Sequence, residues 1–151
     1  MDIAEIIRYL IGIVLLLMCS SFFSGSETAL TALTMTQIQR LRGDKKKSSS
    51  AIIHFLDEPR RLFITVLFGN TLVNMAFVSI TGMLIYNNIF KGKNPGLAYL
   101  VAIVLQTLLL LIFGEVTPKT YAIKHSERIA GTVVCSLLFF SRLIFPFRKA
   151  L

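Results

Sequence analysis

The chain has 151 residues, 54% of them hydrophobic and only 16% charged, with a mean hydropathy of +0.71. That composition excludes an ordinary soluble domain and suits one small bundle of membrane helices. The net charge of +8 comes without any RNA- or DNA-binding motif, so it is read as a set of membrane-orientation signals, and no nucleic-acid partner is expected.

The N-terminal MDIAE is acidic where a secretory signal would be basic, so the apolar stretch behind it is expected to be retained. That stretch runs on through SGSETALTALT and predicts a first span over about 6–33. The polar, basic segment MTQIQRLRGDKKKSSSAIIHFLDEPRR then predicts two short helical pieces over about 36–58 around a Gly-Asp-Lys turn. Their basic face would meet anionic lipid headgroups. A second span follows over 62–86, long enough for a hydrocarbon core that needs roughly 20 residues. KGKNPG carries a turn signal, and the third span, 97–113, ends where the Gly and Pro of GEVTPK break the helix.

The last apolar window, 129–141, has 13 uncharged residues before Arg142, fewer than the roughly 20 of a comfortable span. Residues 129–151 are therefore expected as an apolar juxtamembrane helix at the interface, with a fourth span in which Arg142 snorkels as the alternative. Arg40, Arg42, Lys45, Lys46, Lys47, Arg60 and Arg61 lie between spans one and two, against Lys91 and Lys93 between spans two and three. By the positive-inside rule the first loop is cytoplasmic, the N-terminus outside and the C-terminus inside. The expected fold class is an all-α integral membrane protein: three transmembrane helices, short helices and a cytoplasmic juxtamembrane helix, broken or kinked near the polar residues described next.

Each span carries polar residues that lipid does not tolerate alone. Ser20, Ser24 and Glu27 share one face of span one, and Asn70 and Asn74 share one face of span two, by their spacing of three and four. Gly114 and Glu115 stand at the inner end of span three, and with the topology above all three clusters fall in the inner half of the membrane. Hydroxyl, carboxamide, carboxylate and freed carbonyl oxygens are hard ligands, suited to Mg²⁺, Ca²⁺ or Na⁺. Each cluster also has a plainer reading. Gly25 and Ser21 serve close helix packing, the asparagines bond between helices, and Glu115 pairs with Lys119. Cys19 and Cys135 lack metal-binding spacing and are expected as buried thiols, His54 and His125 as surface residues. With no nucleophile and base pair and no P-loop, no enzyme is expected.

SGSETALTALT, DEPRRLFITVLFGNTLVN and GEVTPKTYAIKHSERIA, in that order across roughly 20–129, resemble the transmembrane domain of the CNNM (cyclin M)/CorC family, associated with Mg²⁺ transport. The resemblance implies a homodimer in the cell (plasma or inner) membrane, whose inward-facing, negatively charged cavity holds Mg²⁺ for export, with Na⁺ as the candidate coupling ion. Carried onto this sequence, the metal ligands are Ser24 in SGSE, Asn70 and Asn74 in GNTLVN, and Gly114 and Glu115 in GEVTPK, with Ser20 and Glu27 secondary. Family members continue into a cytoplasmic CBS-domain pair that binds ATP. This chain stops at FPFRKAL, so ATP would act only through domains it lacks, as in a truncated chain or an unusually short member. The lack of a long extracellular N-terminal region suggests a prokaryotic protein. The alternative function is a membrane-embedded Mg²⁺ sensor or regulator of another transporter, and a third is a scaffold.

Overall fold

A computed structural model describes residues 3–88 and 95–144, and every regular element among them is helical. The long apolar runs form α1 (Ile3–Thr31) and α4 (Pro59–Asn88), and between them lie α2 (Met35–Gly43) and α3 (Lys47–Asp57). Thr34 starts α2 with a reciprocal cap: Gln37 N–H donates to its hydroxyl, and its own N–H donates to Gln37 Oε1 at 2.9 Å, satisfying two amides that have no intrahelical partner. Pro59 opens α4, where its missing N–H removes no helical bond.

The third span differs from the expected one. α5 (Pro95–Leu109) passes into a π-helical turn (Leu110–Val116) and on into α6 (Thr117–Lys124), so the helix does not end at residue 113. Proline cannot donate to the preceding turn, and its ring crowds the carbonyl four residues back. Here the turn before Pro118 widens to i→i+5 bonding, seen in Thr117 N–H donating to Ile112 O. A π-bulge thus replaces the predicted break. The expected KGKNPG turn lies largely at residues outside those described, and Pro95 and Gly96 already belong to α5.

Among the described residues, three helical stretches are long and apolar enough to cross a membrane: Ala4–Thr31, Pro59–Ile85 and Tyr99–Lys124. The last helix, α7 (Ser126–Leu143), is not among them and starts earlier than its expected bound of 129; residues 145–151 lie outside those described. Its buried residues Ala130, Val134, Leu137 and Ser141 recur every three or four positions, the stripe of a helix packed along one side.

Neighbouring residues fix the directions of the spans. Ser20 meets Asn70 and Asn74, while Glu5 and Gly12 line a hollow with Ile80, so α1 and α4 run antiparallel. Gly114 faces Ser20 and Pro118 faces Gly25, so the third span runs parallel to α1. The core lies at the end where α4 begins, with Phe23, Leu30, Leu41, Ile52, Phe55, Leu62, Val66, Val134 and Leu137 buried together. Further along, Leu67, Leu72, Met75, Leu100 and Val104 are exposed, as side chains facing lipid must be. Cys19 and Cys135, expected to be buried, are both exposed. Their apolar neighbours belong to outward-facing helix surface, which hydropathy alone does not separate from core.

Arg61 ties the basic end together. Its Nε donates to Ser141 Oγ of α7 at 2.8 Å, its Nη1 to His54 Nε2 of α3 at 2.5 Å, and its guanidinium lies 5.9 Å from the centre of the Phe55 ring. Arginine only donates, so His54 Nε2 must be the unprotonated nitrogen. His54, with its side chain 43% exposed, is a surface residue that also tethers α3 to α4, and His125 is exposed and stacks on Tyr121.

Candidate functional site

The polar clusters converge about Ser20. Its side chain is fully buried, and its Oγ lies 2.9 Å from Asn74 Oδ1 and 3.2 Å from Asn70 Oδ1. The i, i+4 spacing puts both amides on the face of α4 turned to α1. From the third span Gly114 approaches so closely that a Cβ there would stand 2.8 Å from Ser20 Oγ. Three helices therefore meet at one hydroxyl, and only a residue without a side chain fits at the π turn.

That hydroxyl has one proton and two carboxamide oxygens as acceptors, so it can serve only one of them at a time. With both carboxamide oxygens turned to it, oxygen lone pairs are in surplus at this point. One turn along α1, Ser24 is 1% exposed and its Oγ has no hydrogen-bond partner among the described residues. A buried hydroxyl left unbonded costs about 1–3 kcal/mol. This is an orphaned oxygen beside an oxygen-rich cluster, the donor chemistry a hard cation takes.

Glu115 and Glu27 are both half-buried, and neither carboxylate makes a hydrogen bond or ion pair with a described residue. The pairing of Glu115 with Lys119 does not form. No three His, Cys, Asp or Glu side chains gather among the described residues, so neutral oxygens outnumber charged ones in the donor set. Ser26 is otherwise engaged, donating to Phe22 O at 2.6 Å. His54 and His125 belong to other regions of the fold.

The sequence matches the family described as "Cyclin M transmembrane N-terminal domain" over residues 11–151. The chain belongs to the CNNM family. Similar proteins include a UPF0053 protein of Haemophilus influenzae, 31% identical over 86% of this chain and 30% of the relative. The UPF0053 inner membrane protein YfjD of Escherichia coli is 33% identical over 74% of this chain and 25% of its own length. The metal transporter cnnm-2 of Caenorhabditis elegans is 27% identical over 87% of this chain and 16% of its own length. The chain thus spans less than a third of these relatives. Its three long apolar helices and its membership of this family make it a multi-pass membrane protein.

Within this CNNM domain, Ser20, Asn70, Asn74 and Gly114 come together, Ser24 lies a turn away, and Glu115 adjoins Gly114 in the chain. Two features were not legible beforehand. Ser20 stands at the geometric centre of the cluster, between the asparagines and Gly114. Ser21, weighed only as a packing residue, donates to Phe113 O at 2.5 Å. In the widened turn that carbonyl would receive the N–H of residue 118, which proline does not have. The adjacency of a serine pair on span one to a proline-disturbed span three was the available signal, but nothing in sequence set their register.

Proposed function

We propose that this domain is the membrane-embedded part of a Mg²⁺ transporter that exports the ion from the cytoplasm, coupled to Na⁺ entry, and works as a homodimer. The observation that carries the reading is the meeting of Ser20, Asn70 and Asn74 oxygens against Gly114, a turn from the unpartnered Ser24 hydroxyl. The name of the Caenorhabditis elegans relative, a metal transporter, supports it. The basic residues of α2, of α3 and of the start of α4 support a cytoplasmic position for that end of the bundle, and in this reading the cluster opens from the inside.

Mg²⁺ takes about six oxygens at about 2.0–2.1 Å and dehydrates reluctantly. Ser24, Asn70, Asn74 and the Gly114 carbonyl each replace a hydration water with a neutral oxygen, while Glu115 supplies charge. One carboxylate among neutral ligands holds the ion weakly enough for release. Loading requires Ser20 to give up its bond to an asparagine so that both carboxamides turn their oxygens to the ion.

The test is Mg²⁺ flux in proteoliposomes holding this protein alone, alongside Mg²⁺-dependent thermal stabilisation. Flux that falls at least tenfold in Asn74→Ala and Glu115→Ala is expected. Stabilisation by Mg²⁺ without flux makes the protein a sensor or regulator instead, and neither effect leaves a scaffold.

A further inference from the structure

A second polar feature lies away from this cluster. Between α4 and α5 is an open-sided cavity of about 450 Å³, with Gly82, Ala102 and Gln106 at its wall and Val78, Met83, Tyr99 and Ile103 exposed at its rim. Gln106 is only 7% exposed, and its amide oxygen has no hydrogen-bond partner. That oxygen lies 3.9 Å from where a Gly82 Cβ would stand, so the glycine keeps the space before it open. Thr81, next to Gly82 in the chain but outside the cavity lining, also has a buried hydroxyl without a hydrogen-bond partner among the described residues.

A carboxamide left dry within a span loses several kcal/mol, so polar groups at membrane depth face protein partners or a water-filled space. Gln106 Oε1 has no hydrogen-bond partner among the described residues, and the cavity far exceeds the roughly 15 Å³ that one water needs. Its height is set by helix geometry. Gln106 precedes Gly114 by eight residues and Gly82 follows Asn74 by eight; at about 1.5 Å per residue both helices place it roughly 12 Å from the Ser20 cluster. It lies toward the ends of the spans remote from α2 and α3, and none of its described lining residues is charged.

We propose that this cavity is an outer station of the ion path: a water-filled chamber in which the cation, rehydrated after leaving the inner cluster, is held through its water shell by Gln106. The inference rests on the transport reading and its orientation. Neutral outer-sphere contacts suit this step, because Mg²⁺ keeps its waters readily and a carboxylate here would retain it. The two stations differ as capture and release sites should: one offers crowded inner-sphere oxygens, the other room.

The test introduces a single thiol beside Gln106, Ala102→Cys, with Gln106 kept and Cys19 and Cys135 replaced by serine, in sealed vesicles treated from the outside with a charged, membrane-impermeant methanethiosulfonate. Modification is expected, slowed several-fold by millimolar Mg²⁺ and not by choline at equal ionic strength. Gln106→Leu is expected to lower Mg²⁺ flux about tenfold while leaving thermal stabilisation by Mg²⁺ unchanged, with Gln106→Asn retaining flux. A thiol that reacts only with a membrane-permeant maleimide overturns the proposal, because the cavity is then dry. So does wild-type flux in Gln106→Leu, which leaves water without an ion. If the unaltered protein carries no Mg²⁺, the transport reading fails, while labelling and its protection by Mg²⁺ still decide the chamber.

Discussion

Gly114 and Gly25 are both glycines at helix contacts, yet their surroundings differ by nearly an ångström. A Cβ at Gly114 meets Ser20 Oγ at 2.8 Å and Leu110 Cδ1 at 3.3 Å, whereas at Gly25 the nearest atom is Pro118 Cβ at 3.6 Å. Gly114→Ala is expected to destabilise the protein by about 1–3 kcal/mol and to push Ser20 off the asparagines, weakening Mg²⁺ binding about tenfold. Gly25→Ala is expected to be nearly neutral in thermal unfolding. Ser24→Ala gives a sharper signature. Removing a buried, unbonded hydroxyl relieves about 1–3 kcal/mol of desolvation without Mg²⁺, so the ion-free protein should unfold no earlier than the parent, while stabilisation by Mg²⁺ is lost. A lower unfolding temperature without Mg²⁺ would instead show that Ser24 has a structural partner.

Among the elements, the π turn and α1 depend on each other. Pro118 withholds an N–H and Ser21 supplies a hydroxyl to the Phe113 carbonyl in its place. Ser21→Ala alone is expected to cost about 1–2 kcal/mol. In the Pro118→Ala background the restored N–H can take that carbonyl, so the serine should matter far less there, and a double-mutant cycle reads the difference. α2 and α7 are joined by Arg40 and Glu127, whose side chains form an ion pair outside the spans. The hydrogen bond from Arg40, with its charge adding, holds the Glu127 carboxyl below its ordinary value near 4.5. A lowered carboxylate favours the docked form above that ordinary value and loses its contribution as pH falls through the lowered one. Amide protection in α2, corrected for the intrinsic pH dependence of exchange, should therefore fall modestly below about pH 4.5 and not in Arg40→Gln, the pair being exposed and screened by salt.

For the whole molecule, the basic loop and the three spans make a topology that a protease can check. Cleavage at Lys45, Lys46 and Lys47 is expected only when the cytoplasmic face of the membrane is open to the enzyme, and cleavage in sealed right-side-out cells would reverse the orientation and the direction of transport argued from it. The third span shows where sequence reading stops. Gly and Pro in GEVTPK were legible as a disturbance of the helix, but a widened turn and a break have the same residues. The choice fell to neighbouring groups, because Ser21 could satisfy the carbonyl that proline leaves and so let the helix continue.

Hydropathy and charge by themselves determined that this is a helical membrane protein with three long spans, since lipid admits only segments that bond their own backbone and carry apolar sides. Helical spacing also put Asn70 with Asn74 and Ser20 with Ser24. Only tertiary structure decided that Ser20 stands between the asparagines and Gly114, that the Ser24 hydroxyl and the Gln106 amide oxygen have no hydrogen-bond partner among the described residues, that Arg61 ties three helices, and that Cys19 and Cys135 face outward. Each of these depends on the rotation and register of one helix against another, set by side-chain packing between segments far apart in the chain, which no local periodicity encodes.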